Sequence, residues 1–190
     1  MRRPHLSVLA ATICIAIVAT CGTSEPVAVD AATYEPLPVR PGPRTETTYA
    51  VPHVQVFVDP VPEVDAELRR RLFSLPEIDR RESITSIAGT EALWLDSSAG
   101  DLRATMRQRE FGHIHPDGSL HLVLPVDRAL DAIEAKWAEF HPWVGSENMW
   151  DGTVMLYTPQ SADEAEVTLQ LIVDSYNFVT GRSLTLDDIA

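Results

Sequence analysis

Cysteine is nearly missing from this chain. There are two, Cys14 and Cys21, both close to the start. A folded part that begins after them has neither a disulfide framework nor a cysteine metal site to hold it together. Basic residues are also scarce: 15 Lys and Arg stand against 28 Asp and Glu, a formal charge of −13. A chain starting at Cys21 would lose Arg2 and Arg3 but no acidic residue, which brings the charge to −15. A field of that sign repels phosphate backbones and anionic lipid surfaces, so nucleic-acid binding is excluded. No nucleophile elbow, P-loop or dinucleotide fingerprint occurs, which removes the commonest recognisable enzyme classes. What is present is ordinary globular material: 45% apolar and 23% charged residues, enough for one core in 190 residues.

The one long uncharged run lies at the start. Arg2 and Arg3 precede the 15 residues Leu6 to Thr20, the anatomy of a secretory signal and short of the roughly 20 residues that span a bilayer. Residues 1–21 are therefore read as a signal peptide, lipoprotein signal or anchor. Val18-Ala19-Thr20-Cys21 is similar to a bacterial lipobox, with Cys21 as the lipidation site and Thr20 where Gly or Ala is usual. Val29-Asp30-Ala31 offers a cleavage site for ordinary secretion. Each route puts the domain outside the cytoplasm, membrane-anchored in two of them and secreted in the third.

Residues 22–62 read as a proline-rich linker, since eight of the 14 prolines fall between Pro26 and Pro62. Closely spaced prolines fix φ and remove amide donors, so an extended spacer is expected. Within it Val54-Gln55-Val56-Phe57-Val58 alternates as an edge strand would. Residues 63–190 read as the domain. Val64, Leu68, Leu72 and Leu75 have helical spacing. Ser83 to Ile87, Ala92 to Leu95 and Thr153 to Tyr157 read as strands, and Val126 to Trp137 as an amphipathic helix. Ser161-Ala162-Asp163-Glu164 opens a last helix that Gly181 ends. The order predicts an α+β fold: a small antiparallel or mixed sheet with about three helices packed on one side.

Between these elements lies Arg109-Glu110-Phe111-Gly112-His113-Ile114-His115-Pro116-Asp117-Gly118-Ser119-Leu120-His121-Leu122. Side chains alternate along a strand, so His113 and His115 share a face. Pro116 and Asp117 suit the centre of a type I turn and Gly118 the left-handed residue after it, a three-residue hairpin loop with a bulge. In that register His113 opposes His121 and His115 opposes Ser119. All three histidines then share one face, and Ile114, Leu120, Leu122 and Leu124 form the other. Such a cluster has three readings: ordinary hydrogen-bonded histidines, a three-histidine metal site, or general acid–base groups. His141 joins the same site in the last two. Trp137 sits on a helix face where a core role competes with substrate binding.

These residues resemble the luciferase-domain family, which includes the fungal luciferases. The likeness runs from about Leu72 to Phe178 and rests on Arg109 to His115, Ser119 to Leu122, Trp137 with His141-Pro142, and Val154 to Pro159. Lys136 stands where many members have Gly. Fungal members oxidise a hydroxylated styryl-pyrone with O2, without a metal or organic cofactor, through a peroxide that loses CO2. The resemblance implies that His113, His115 or His121 deprotonates an enol and that Arg109 steadies the negative charge. It further implies that Glu110, Trp137 and His141 border the substrate, that no metal takes part, and that the partners are a small molecule and O2. A binding domain without chemistry and a three-histidine metalloprotein are the alternatives.

Overall fold

The computed structural model describes residues 34–189. The signal segment 1–21, with Cys21, lies outside the described residues. Among those described, no helix is long and apolar enough to cross a membrane.

The chain forms α1 (Pro62–Leu72), β1 (Ile78–Glu82), β2 (Glu91–Leu95), β3 (Glu110–Ile114) and β4 (Leu120–Val123). It continues with α2 (Val126–Glu134), β5 (Ala138–Phe140), β6 (Thr153–Leu156) and α3 (Ala162–Thr180). All six strands pair antiparallel in the order β1-β2-β3-β4-β6-β5. The fold is α+β, as the element order predicted. Leu68 and Leu72 of α1, Ala129 and Ala132 of α2, and Leu169, Ile172 and Tyr176 of α3 join one buried cluster with Leu93, Ile114, Leu120, Leu122, Val154 and Leu156 of the sheet. Removing that apolar surface from water is the main force holding the elements together. The Ser161 hydroxyl caps α3 at Glu164 N, and Gly181 closes it in the left-handed region at φ 74.

Several expectations need correction. Ser83 to Ile87 is a loop and not a strand; the strand before it is β1, whose charged residues hid its pairing with β2. Helix α2 stops at Glu134, short of Trp137. Lys136 then takes φ 67, the left-handed conformation a glycine adopts without strain, and the chain turns into β5. Val54 to Val58 adds no strand to the sheet; only a single bridge, Thr47 to Gln55, forms there.

From Tyr34 onward the proline-rich stretch is no free spacer. Arg40 is buried, pairs with Glu164 at 2.8 Å and donates to Thr158 O at 2.9 Å. The Trp137 indole N–H donates to Pro38 O at 2.6 Å. The Arg128 guanidinium donates to Glu35 O at 3.0 Å. Prolines keep this arm from forming its own ladder, so its carbonyls take donors from the domain instead.

Candidate functional site

The β3–β4 hairpin has the expected register: His113 pairs with His121 and Ile114 with Leu120. His115 N donates to Ser119 O at 2.8 Å, Gly118 N to His115 O at 3.1 Å, and Gly118 has φ 82. Gly112 lets the hairpin close, since a Cβ there would lie 2.6 Å from Leu122 and 2.7 Å from His121 O. The three histidines are buried on one face, in a near-equilateral triangle of rings with centroids 4.9, 5.0 and 5.1 Å apart.

An extra residue in β3 completes this face. Leu93 pairs with Gly112 and Trp94 with Glu110, so Phe111 has no partner on β2 and forms a bulge. Strict alternation would send Glu110 and His113 to opposite faces. The bulge turns Phe111 toward Tyr176 in the core and brings Glu110 beneath His113. Glu110 is fully buried and accepts from His113 Nδ1 at 2.8 Å, Ser83 Oγ at 2.7 Å, Thr85 Oγ1 at 2.8 Å and Ile84 N at 3.1 Å. Burial alone would raise its pKa. The hydrogen bonds outweigh burial and hold the carboxyl below its ordinary range.

Two more histidines arrive from outside the hairpin. His53 comes from the arm: its Nδ1 lies 3.0 Å from His121 Nε2, and its Nε2 lies 2.6 Å from Glu139 Oε1. His141 follows β5, with its ring 5.0 Å from that of His121 and its Nδ1 accepting from Trp143 N at 3.1 Å. All five histidines among the described residues therefore gather in one place. A continuous row runs Glu110–His113–His121–His53–Glu139, with His113 Nε2 2.9 Å from His121 Nδ1. Tyr157 donates to Glu139 at 3.0 Å. Its phenol is pushed up to about 12 by burial first and by Glu139 second, which keeps it a donor. Burial would raise Glu139, but hydrogen bonds from His53 and Tyr157 hold it below the usual range.

Desolvation keeps several of these rings neutral. His115 is lowered to about 4 by burial and then by neighbouring His113. His141 is lowered to about 4 by burial and then by His53. His121 lies well below its ordinary value, through burial and then its histidine neighbours. Neutral imidazoles offer lone pairs, for protons or for metal ions.

Above the cluster opens a cavity of about 920 Å³. His113, His115, His121 and His141 face it, with Met149 and the half-exposed Ile84, Ile87 and Trp143 as apolar walls. Arg107 stands exposed among the lining residues.

Two residues expected at the site lie elsewhere. Arg109 donates to the carbonyls of Leu95 and Gly100, at 2.7 and 3.1 Å, and to that of Asp96, away from the cavity. Its guanidinium is used to tie loops. Arg107 is the cation that lines the cavity. Trp137 is buried between the arm and the domain, with Arg40 over its ring at 5.7 Å. It is a core residue and an anchor for the arm. Glu110 reaches the site, though from behind His113. His53, Arg107 and Glu139 carried no signal in the sequence: His53 falls in the stretch read as linker, and Arg107 and Glu139 lie outside the histidine hairpin in stretches with no pattern of their own.

Residues 108–175 match the family model described as Luciferase domain. The chain carries a luciferase domain. The matched stretch is narrower than the 72–178 over which the motifs ran. It contains the hairpin, α2, β5, β6 and most of α3, hence four of the five clustered histidines, while His53 lies outside it. No curated protein and no solved structure matches the chain significantly.

Proposed function

We propose that this luciferase domain is an exported oxidoreductase, membrane-anchored or secreted, that takes a small enolic or aromatic molecule into the histidine-lined cavity and brings it to reaction with O2. The observation that carries this reading is the pairing of a buried imidazole floor with apolar walls in one cavity of about 920 Å³. Planar rings suit Trp143, Met149, Ile84 and Ile87. An acidic hydroxyl on such a ring would point at the proton acceptors that line the cavity, the imidazole nitrogens, and give up its proton there. Arg107 is placed to face the resulting negative charge at the rim, the role the motif suggested for Arg109. His141 Nδ1 accepts from Trp143 N, so its Nε2 carries the proton and donates toward a substrate oxygen.

Export rests on the N-terminal sequence pattern, and its test is the cell fraction in which the mature chain is found. Intact chain in the cytoplasm, with residues 1–21 still attached, would end that part. The activity is tested by oxygen uptake with hydroxylated pyrones and phenolic enols, comparing the full chain with its His115→Ala and His121→Ala variants. Turnover lost in both, with folding retained, is the expected result. Thermal stabilisation by the same compounds without oxygen uptake would make the protein a binding domain and overturn the enzymatic reading.

A further inference from the structure

The outer hydrogen bonds of the hairpin histidines run toward Glu110, Asp117 and Glu139, carboxylates that only accept, and this constrains which ring nitrogens are bare. Glu110 is a carboxylate that already receives Ser83, Thr85 and Ile84, so it accepts from His113, and the proton sits on His113 Nδ1. Ser119 Oγ gives its proton to Asp117 at 2.7 Å and lies 2.8 Å from His115 Nδ1, so His115 donates through Nδ1. Glu139, which also receives Tyr157, accepts from His53 Nε2; His53 Nδ1 is then bare, and a His121 that donates to it through Nε2 leaves its own Nδ1 bare. With neutral rings and the His121 proton turned toward His53, three lone pairs are left over: His113 Nε2, His115 Nε2 and His121 Nδ1.

These three atoms converge. One ring nitrogen from each of His113, His115 and His121 lies within 4.8 Å of the other two, and His113 Nε2 and His121 Nδ1 are 2.9 Å apart. Two lone pairs at that distance repel unless a positive charge lies between or beside them. Three carboxylates, Glu110, Asp117 and Glu139, back the cluster from outside and add no positive charge.

From this geometry we infer that His113 Nε2, His115 Nε2 and His121 Nδ1 form a binding site for one divalent first-row transition-metal ion. At the usual metal–imidazole distance of about 2.0–2.1 Å, a 2.9 Å nitrogen separation gives an angle of about 90° at the ion. That is the angle of three ligands on one face of an octahedron, which leaves the remaining positions toward the cavity. Each ligand ring hands its other N–H outward: His113 to Glu110, His115 to Ser119 and Asp117, His121 to His53 and Glu139. Such outward partners fix the tautomer and raise ligand basicity in metal sites generally. The neighbouring group of His53, His121 and His141 is the contrasting case. There His141 already uses the Nδ1 lone pair on Trp143 N, and His53 and His121 share a proton, so that group is closed by hydrogen bonds.

The site departs from the metal-free chemistry that the family resemblance implies: an ion held there takes the lone pairs that would otherwise receive the substrate's proton. Its readout is bound metal and not turnover, so its failure and that of the proposed function are told apart. The experiment uses the full chain, purified without a histidine tag and stripped with EDTA. It is titrated with Fe2+, Mn2+, Co2+ and Zn2+, with metal counted by mass spectrometry and Co2+ followed by its visible absorption. One tightly bound equivalent is expected, with cobalt bands of the weak intensity of six-coordination. His113→Ala, His115→Ala and His121→Ala should each lose the ion, and His141→Ala should keep it. His53→Gln should bind about 10–100-fold more weakly, as removal of an outer partner does. The wild-type cobalt spectrum keeps the test alive should the alanine variants unfold. The inference is overturned if no metal binds above trace and nitrogen NMR finds a proton shared between His113 and His121. It is equally overturned if His141→Ala loses the ion while His115→Ala keeps it.

Discussion

The two faces of the β3–β4 hairpin are built from alternate residues of the same two strands and follow opposite rules. Ile114, Leu120 and Leu122 point into a fully buried apolar cluster, where shape decides and no atom needs a specific partner. His113, His115 and His121 are almost as buried, yet every outward ring nitrogen has an anchored acceptor. One face derives its stability from area removed from water, the other from complete pairing of polar groups. Burial alone therefore does not distinguish core from site in this fold; the direction of the hydrogen bonds does.

The comparison breaks most visibly at Leu122. Leu122→Ala opens a void in the apolar cluster and should cost about 2–5 kcal/mol in denaturant unfolding. A loss under 1 kcal/mol would mean that face is loosely packed. On the polar face, Glu110→Gln keeps size but offers its NH2 to donors that need an acceptor, and a cost of about 1–3 kcal/mol is expected. The same variant should weaken metal retention, and equal metal content with equal stability would refute the anchoring role. Next comes pH, measured on the chelated protein. His115 and His141 are lowered to about 4, so they are neutral in the fold and bind protons more readily when unfolded. Their contribution is complete above the ordinary histidine value and is lost as pH falls from about 6.5 toward 4, at about 1.4 kcal/mol per unit for each group. A flat stability profile across that window would show both rings solvated. The smallest effect is expected far from either face: Ser161→Ala removes the α3 cap and should cost about 1 kcal/mol without touching metal or ligand binding.

Much of this arrangement was legible in the sequence, and the parts that were not share a cause. The hairpin register followed from Pro116-Asp117-Gly118 and from the need to sort apolar and histidine residues onto two faces. The last helix followed from its cap and its glycine. The bulge at Phe111 was not legible, because an extra residue leaves composition and spacing almost unchanged while reversing the side on which Glu110 lies. Strand β1, Ile-Asp-Arg-Arg-Glu, has no alternation because it is an edge strand exposed along most of its length. His53 was hidden by its neighbours: prolines describe a segment without its own ladder, and say nothing about whether that segment lies on a domain. Arg109 and Trp137 were placed at the site by motif position, and the structure gives both to the scaffold. His141, argued from its position after Trp137, does face the cavity.

The arm also orders events in time. The hairpin contacts close over a few residues, whereas His53 meets His121 across 68 positions of chain. Contacts between distant residues pay for a longer closed loop and tend to form after local ones. Among the contacts of the His121 ring, the one to His53 is then expected to form last and to open first in a local fluctuation. Exchange of the arm's amide protons with solvent would report how often the floor of the cavity comes undone while the core beneath it stays folded.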